Sequence, residues 1–416
     1  MKPVNIGICG LGTVGGSTYA VLTSNAELLS ARAGAQLTVC HVGARRNNPN
    51  CSTGETPVSR DIFDVARDPA VDILVELIGG TTVAKDLIET ALAAGKHVVT
   101  ANKALIAEFG TELFALADVH GVSIRYEAAV AGGIPIIKAL REGLAGNKIH
   151  CLAGIINGTG NFILTEMKDK GRAFADVLSE AQALGYAEAD PTFDVEGIDA
   201  AHKLVILAAI AFGMPLEFTR VYTEGISTIT PRDVDYAQEL RVHPTLIPER
   251  RLLANVDGVK NAVMIEGSAV GPTLYYGAGA GGDATASAVL ADIIDLARDI
   301  VVGQKPQIAS LGVAQQAIVN HTIVPMAEVV TPWYVRLEAE DRPGVMAQIT
   351  SLFSDEGISI EALIQKAPAT GDSKVPVVVL TNAAAQGKLD AVILAMTELG
   401  SIADEIMCIR VETLDV

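Results

Sequence analysis

The chain has 416 residues, half of them hydrophobic and only 4% aromatic, with a formal net charge of −18. That length predicts two or three domains with sizeable cores, and so negative a field argues against nucleic acid or an anionic membrane as a partner. Five scattered cysteines (Cys9, Cys40, Cys51, Cys151 and Cys408) with no C-x-x-C pair argue against a disulfide framework or a thiolate zinc site.

The opening Met1-Lys-Pro-Val-Asn-Ile runs straight into a strand, with no signal-like apolar region. The most apolar run, Leu204 to Phe212, is too short to span a bilayer. A cytoplasmic location is the expectation. Over the first third, strand-like segments Val4–Cys9, Gln36–Val42, Ile73–Leu77, His97–Thr100 and Val122–Tyr126 alternate with helical ones such as Ala84–Ala94 and Thr111–His120. That alternation predicts a doubly wound parallel sheet.

Residues from about 130 to 320 read as an α+β region. Its helices include Ala173–Leu184 and Glu196–Phe212, and its β-like stretches include Ile149–Ile156 and Ala262–Glu266. A closing helical run, Ala284–Val301, is expected to return to the first domain. From Pro332 onward the pattern is strand Tyr334–Ala339, helix Gly344–Ser354, strands Ile358–Gln365 and Val375–Thr381, helix Ala384–Leu399 and strand Ile406–Val411. The order βαββαβ is the ferredoxin-like unit.

Gly10-Leu-Gly12-Thr13-Val14-Gly15 stands between the first strand and a helical run, the context in which G-x-G-x-x-G binds a dinucleotide. Gly10 permits the tight turn, Gly12 admits the pyrophosphate and Gly15 lets helix and sheet approach. An acid for the ribose hydroxyls of NAD is missing: Leu28 to Gly54 holds no Asp or Glu, and the second strand ends in Ala44-Arg45-Arg46. A guanidinium there suits a 2′-phosphate, so NADP(H) is expected, with NAD(H) as the alternative.

Asp199 and Lys203 are spaced i, i+4 on one helix face, and the helix turns apolar all round just beyond. A salt bridge on the surface would explain the pair, but the apolar run places Lys203 at the mouth of a buried region, where a lysine can donate a proton. Lys103, in Thr100-Ala-Asn102-Lys103, follows a strand at the carboxyl end of the sheet, where ligands bind. Gly154-Ile-Ile-Asn157-Gly158-Thr159-Gly160-Asn161 forms a polar turn suited to a small zwitterion, or a plain turn. Gly277-Ala-Gly279-Ala-Gly281-Gly282 opens a helix and reads either as a loop closing on the cofactor or as a tight packing turn.

These motifs, with Ala181-Gln-Ala-Leu-Gly-Tyr-Ala-Glu188-Ala-Asp190-Pro and Asp194-Val-Glu-Gly-Ile-Asp199-Ala-Ala-His-Lys203, resemble the homoserine dehydrogenase family over residues 1–320. Arg336-Leu-Glu-Ala-Glu-Asp341-Arg-Pro-Gly344 and Ile358-Ser-Ile-Glu resemble an ACT domain. The resemblance implies an α/β fold in three parts. These are a Rossmann-type domain over 1–130, completed by about 300–320, a catalytic and dimerisation domain over 131–320, and an ACT regulatory domain over 332–416. The implied reaction is NADPH-dependent, reversible reduction of L-aspartate 4-semialdehyde to L-homoserine.

By the same resemblance Lys203 is catalytic with Asp199 as its partner. Glu188, Asp194, Lys103 and Thr159 hold substrate, with Lys103 and Gly282 also at the cofactor. Glu127, with the backbone oxygens of Val130, Gly132 and Ile134, holds a structural sodium ion. Asp341 and Gly344 hold an amino-acid effector, L-threonine. A homodimer or homotetramer is implied. The sequence departs from the family at Gly160, where a second threonine is usual, and between Leu240 and Arg241, where a short stretch is missing. The competing chemistry, a phosphorylating aldehyde dehydrogenase, needs a thiolate, and Cys151 in a strand-like run has no evident activating base.

Overall fold

The protein, seen here as a computed structural model, is described for residues 1–229, 242–303, 308–365, 374–403, 405–412 and 414. The deletion expected between Leu240 and Arg241 lies outside the described residues. The chain forms two compact units: residues 1–161, 198–221 and 259–321, and residues 162–197, 222–258 and 322–416.

The first unit is built on six parallel strands: β1 Lys2–Cys9, β2 Ala35–Gly43, β3 Val58–Ser59, β4 Ile73–Glu76, β5 His97–Thr100 and β6 Ile124–Arg125. Their spatial order is β3-β2-β1-β4-β5-β6. β-Branched residues such as Ile6, Ile8, Ile73 and Val75 are fully buried, as expected when helices cover both faces. The chain winds outward in opposite directions from β1 and β4, and such a switch point opens a crevice at the carboxyl ends of the strands. Helix Gly282–Val302 joins this core through Val289, Ile293 and Leu296, which cluster with Val4, Ile6 and Ile8. The sequence expectation for that helix holds.

Two boundaries differ in a way that matters. The helix expected from Thr111 begins at Lys103, because the Asn102 side chain accepts the Leu105 N–H at 3.2 Å and caps it. Lys103 therefore stands on the first turn of a helix rather than in a loop. The helix expected from Glu196 begins at Ile198, after Gly197 turns the chain at φ +79°. A second sheet of three antiparallel strands, Ile149–Ile155, Lys260–Gly267 and Gly271–Ala278, completes the unit. Gly277 belongs to the last of these strands, not to a loop.

In the second unit, Ile163, Met167, Val177, Ala181 and Val195 pack into a small helical core. The βαββαβ element is present: strands Trp333–Glu340, Ile360–Gln365, Lys374–Thr381 and Met407–Val411, with helices Val345–Asp355 and Gln386–Thr397. Trp333–Glu340 is central, antiparallel to Lys374–Thr381 and to Met407–Val411. The second helix starts at Gln386, two residues later than expected, because Ala384–Ala385 pairs with Val330–Thr331. Thr245–Leu246 adds a short edge strand parallel to Met407–Val411.

Candidate active site

A cleft of about 1400 Å³ opens at the carboxyl ends of β1, β2 and β4, lined by Gly10, Gly12, Thr13, Arg45 and Arg46 among others. Gly10 has φ +102°, and a Cβ there would meet the Leu77 carbonyl oxygen at 2.5 Å. A Cβ on Gly15 would meet the Gly10 carbonyl oxygen at 1.9 Å, so helix Thr13–Ser24 can sit this close only with glycine. At Gly12 a Cβ would meet nothing within 4 Å, which leaves the side of the turn open to a ligand. Gly12 caps that helix without a side-chain bond, so its first N–H groups suit phosphate. Val14 is half-buried and packs against the hydrophobic core.

Sequence reasoning stopped at Arg45 and Arg46. The cleft also holds Arg60, which donates to the Ala44 carbonyl at 3.0 Å and to Asn47 Oδ1 at 2.6 Å, bracing the loop that carries the two arginines. Gly282 does not line this cleft among its described walls. A Cβ there would meet Ser17 Oγ at 2.6 Å and Thr13 Cγ2 at 3.2 Å, so its visible role is close helix packing.

At the end of β4, the fully buried Glu76 accepts N–H groups from Ile78 at 2.8 Å and Gly79 at 3.1 Å, and the Thr100 hydroxyl at 2.5 Å. Asn102 Nδ2 donates to the Gly80 carbonyl at 2.6 Å. The glycine loop at the cleft is thus tied to the helix start that carries Lys103. Nothing in the sequence flagged Glu76, a single acid in an apolar strand.

Lys203, 9% exposed, donates to Asp199 Oδ2 at 2.5 Å and to the Ile156 carbonyl at 2.6 Å. Lys103 Nζ lies 3.1 Å from Asp199 Oδ1. Asn157 Nδ2 donates to Asp199 Oδ2 at 2.8 Å, and Asn157 Oδ1 accepts the Gly160 N–H at 2.6 Å. One carboxylate thus orients two ammonium groups. Burial alone would raise the Asp199 pKa, but Lys203, Lys103 and the two side-chain hydrogen bonds hold it at about 2. The sequence paired Asp199 with Lys203; the structure adds Lys103 and Asn157 to the same carboxylate. Thr159 is half-buried on the first turn of helix Gly158–Lys170.

Glu188 and Asp194 lie in the second unit, Glu188 exposed and Asp194 half-buried on the short helix Thr192–Val195. In the first unit, Glu127 is 2% exposed and accepts N–H groups from Ile137 at 2.9 Å and Lys138 at 2.8 Å. Burial pushes its pKa up to about 7 against those two bonds. Ala131 at φ +54° and Gly132 at φ +45° coil the loop from Val130 to Ile134 beside it. In the ferredoxin-like element, Asp341 Oδ1 accepts from Gln365 Nε2 at 3.0 Å, and Gly344 caps helix Val345–Asp355 at φ +96°.

Thiolate chemistry finds no support. Burial pushes the Cys9, Cys40, Cys51 and Cys408 thiols up, Cys408 to about 12, and Cys151 sits in strand Ile149–Ile155. No helix among the described residues is long and apolar enough to cross a membrane.

The family model "Homoserine dehydrogenase" matches residues 135–294, "Homoserine dehydrogenase, NAD binding domain" matches 10–127, and "ACT domain" matches 333–394. The chain is 54% identical to the homoserine dehydrogenase of Pseudomonas aeruginosa and 49% identical to that of Neisseria gonorrhoeae, each over the full length of both chains. Its fold superposes on a homoserine dehydrogenase from Thiobacillus denitrificans with a TM-score of 0.93 at 51% identity, covering 100% of this chain and 99% of that one. A hyperthermophilic archaeal homoserine dehydrogenase in complex with NADPH matches with a TM-score of 0.61 at 30% identity, covering 71% of this chain and 98% of that one.

Proposed function

The chain belongs to the homoserine dehydrogenase family and is an NAD(P)-dependent oxidoreductase with a C-terminal ACT domain; we propose how its residues divide the family's reaction, reversible reduction of L-aspartate 4-semialdehyde to L-homoserine.

NADPH is the preferred cofactor in this reading. Thr13 and the open side of Gly12 face its pyrophosphate, and Arg45 reads its 2′-phosphate from a loop braced by Arg60. When bound, the reduced nicotinamide supplies hydride to the aldehyde carbon. Lys203 protonates the oxygen on which negative charge develops. Asp199 keeps that ammonium charged and aimed, and Lys103 adds a second positive charge at the same carboxylate. In the reverse direction Lys203, once deprotonated, takes the hydroxyl proton of homoserine. Glu188 and Asp194 are assigned to the substrate ammonium, and Thr159 to a polar substrate contact, from the resemblance of their segments. The observation that carries the reading is the buried Lys203 held 2.5 Å from Asp199.

The Glu127 loop fits a monovalent cation. A desolvated carboxylate is relieved by a neighbouring positive charge, and its two oxygens keep lone pairs beyond the two N–H bonds they accept. Sodium would be held there by Glu127 and the backbone oxygens of Val130, Gly132 and Ile134. The ACT domain is read as the seat of feedback by L-threonine at Asp341 and Gly344, and a homodimer or homotetramer as the assembly. The test is consumption of NADPH with aspartate semialdehyde, repeated with NADH. The expected result is substrate-dependent turnover with the higher kcat/KM for NADPH. No substrate-dependent oxidation of either cofactor refutes the assignment.

A further inference from the structure

Glu76 is the last residue of β4 and Thr100 the last of β5, and their Cα atoms pair in register. The two side chains therefore stand on the same face at the carboxyl end of the sheet, where ligands bind. Both residues are fully buried. Glu76 Oε1 accepts the Ile78 and Gly79 N–H groups, and Oε2 accepts the Thr100 hydroxyl. Thr100 Oγ1 in turn accepts the Asn102 N–H at 3.0 Å. Asn102 Nδ2 returns to the Gly80 carbonyl. These bonds close a ring that runs from Glu76 through the Ile78–Gly80 loop to Asn102, Thr100 and back.

The ring does something that packing alone does not. Gly79 and Gly80 are exposed, left-handed at φ +71° and +74°, and a Cβ on either would touch nothing within 4 Å. Water at the cleft edge could satisfy the loop's N–H groups. An apolar side chain would fill the buried end of β4 without the cost of desolvating a carboxyl group. What it would lose is the position of two things relative to each other. Ile78, Gly79 and Gly80 line the dinucleotide cleft. Asn102 caps the helix that begins at Lys103, so the same ring fixes the Cα from which that lysine reaches Asp199.

We infer that Glu76 is a positioning residue for the dehydrogenase reaction: through Thr100 and Asn102 it holds Lys103 in register with the loop that borders the bound dinucleotide. The inference rests on the proposed role of Lys103 at substrate and cofactor. Glu76 acts through its partners and not by contact with substrate. Hydride transfer needs the cofactor and the substrate-holding groups in one geometry, and a misplacement of about 1 Å can cost about 10²-fold in rate. A single buried carboxyl group that touches both the cofactor loop and the lysine's helix cap meets that need.

The experiment is a set of variants of the full chain, assayed by NADPH oxidation with aspartate semialdehyde, NADPH titration by fluorescence, and urea unfolding. Thr100→Val keeps the side chain's shape and cuts the link towards Lys103, while the two loop bonds to Glu76 remain. Its kcat is expected to fall by about ten- to a hundredfold with NADPH affinity unchanged. Thr100→Ser restores the hydroxyl and should return kcat to near the parent value. Glu76→Met opens both sides of the ring, so NADPH affinity should drop together with kcat. Lys103→Met should be slow by itself, and adding Thr100→Val to it should cost no further rate, because the hydroxyl then has no lysine to aim. A merely structural loss would instead lower the rate by the same factor in both backgrounds. The inference is overturned if Thr100→Val turns over at the parent rate, if Thr100→Ser is as slow as Thr100→Val, or if the effects of Thr100→Val and Lys103→Met multiply. Lys103→Met at the parent rate would remove that lysine from the reaction, and with it the reading on which the inference rests.

Discussion

Exchanging Lys203 for methionine keeps a long side chain in a site 9% exposed and removes only the ammonium. The structure sets the size of two separate effects. For stability, stranding one charge of a buried pair costs about 3–5 kcal/mol. Here Lys103 at 3.1 Å and Asn157 at 2.8 Å still face Asp199, so the loss should be smaller, about 1–3 kcal/mol. The drop of the Asp199 pKa from 3.8 to about 2 agrees with that scale. That net shift, roughly 2 kcal/mol, is what the two lysines and the side-chain hydrogen bonds contribute beyond the opposing cost of burial. For catalysis, loss of a general acid slows turnover about 10²–10⁴-fold, or about 3–5 kcal/mol on the barrier. The assay has three arms: steady-state NADPH oxidation with aspartate semialdehyde, NADPH titration by fluorescence, and urea unfolding. Turnover should collapse while NADPH affinity and cooperative unfolding persist. Turnover within about tenfold of the parent would refute the general-acid role, and a rate loss that only follows lost NADPH binding would make Lys203 a structural residue.

Arg45→Ala should weaken NADPH more than NADH, by about 1–3 kcal/mol for a lost charge-assisted pair; equal losses in a two-cofactor titration would remove Arg45 from 2′-phosphate reading. Asp341→Asn should lower the sensitivity of turnover to L-threonine, measured as the inhibitor concentration for half activity, and an unchanged value would place the effector elsewhere. His97 is the pH-sensitive element of the sheet. Burial, with the nearby charge of Arg125, lowers its pKa from 6.5 to about 4, and its Nδ1 accepts the Ser123 N–H at 3.2 Å. The folded pKa is the lower one, so the unfolded chain binds the extra proton first. The His97 contribution is full above about 6.5 and is lost as pH falls through that value towards about 4, by up to roughly 3 kcal/mol. Urea unfolding across that window should show a shallower decline in His97→Gln; parallel declines would acquit His97.

The fold was largely legible because its signals are local. Gly10 and Gly15 announce a turn that only glycine can make, and the alternation of strand and helix up to β6 implies the sheet. What escaped depends on distant partners. Asn157 was visible as a turn residue, but its bond to Asp199 joins positions 42 residues apart. Glu76 looks like a stray acid until the fold brings Thr100 and the Ile78–Gly79 backbone to it. The start of a helix at Lys103 was missed because its cap, Asn102, is also an ordinary turn residue. Strand Thr245–Leu246, two residues long, has no periodicity to read.

That two-residue strand has a consequence for how ACT sheets can meet. A sheet offers two rims with unpaired N–H and C=O groups, and each is a template for another chain. Thr245–Leu246 occupies one rim at Arg410–Val411, and the Leu246 carbonyl also takes the Glu412 N–H at 3.2 Å. The opposite rim is Ile360–Gln365, mostly exposed, with Leu363 36% and Ile364 41% accessible. Thr245–Leu246 covers only two residues of its rim, so Ile360–Gln365 is the longer described stretch of this sheet open to addition of a strand.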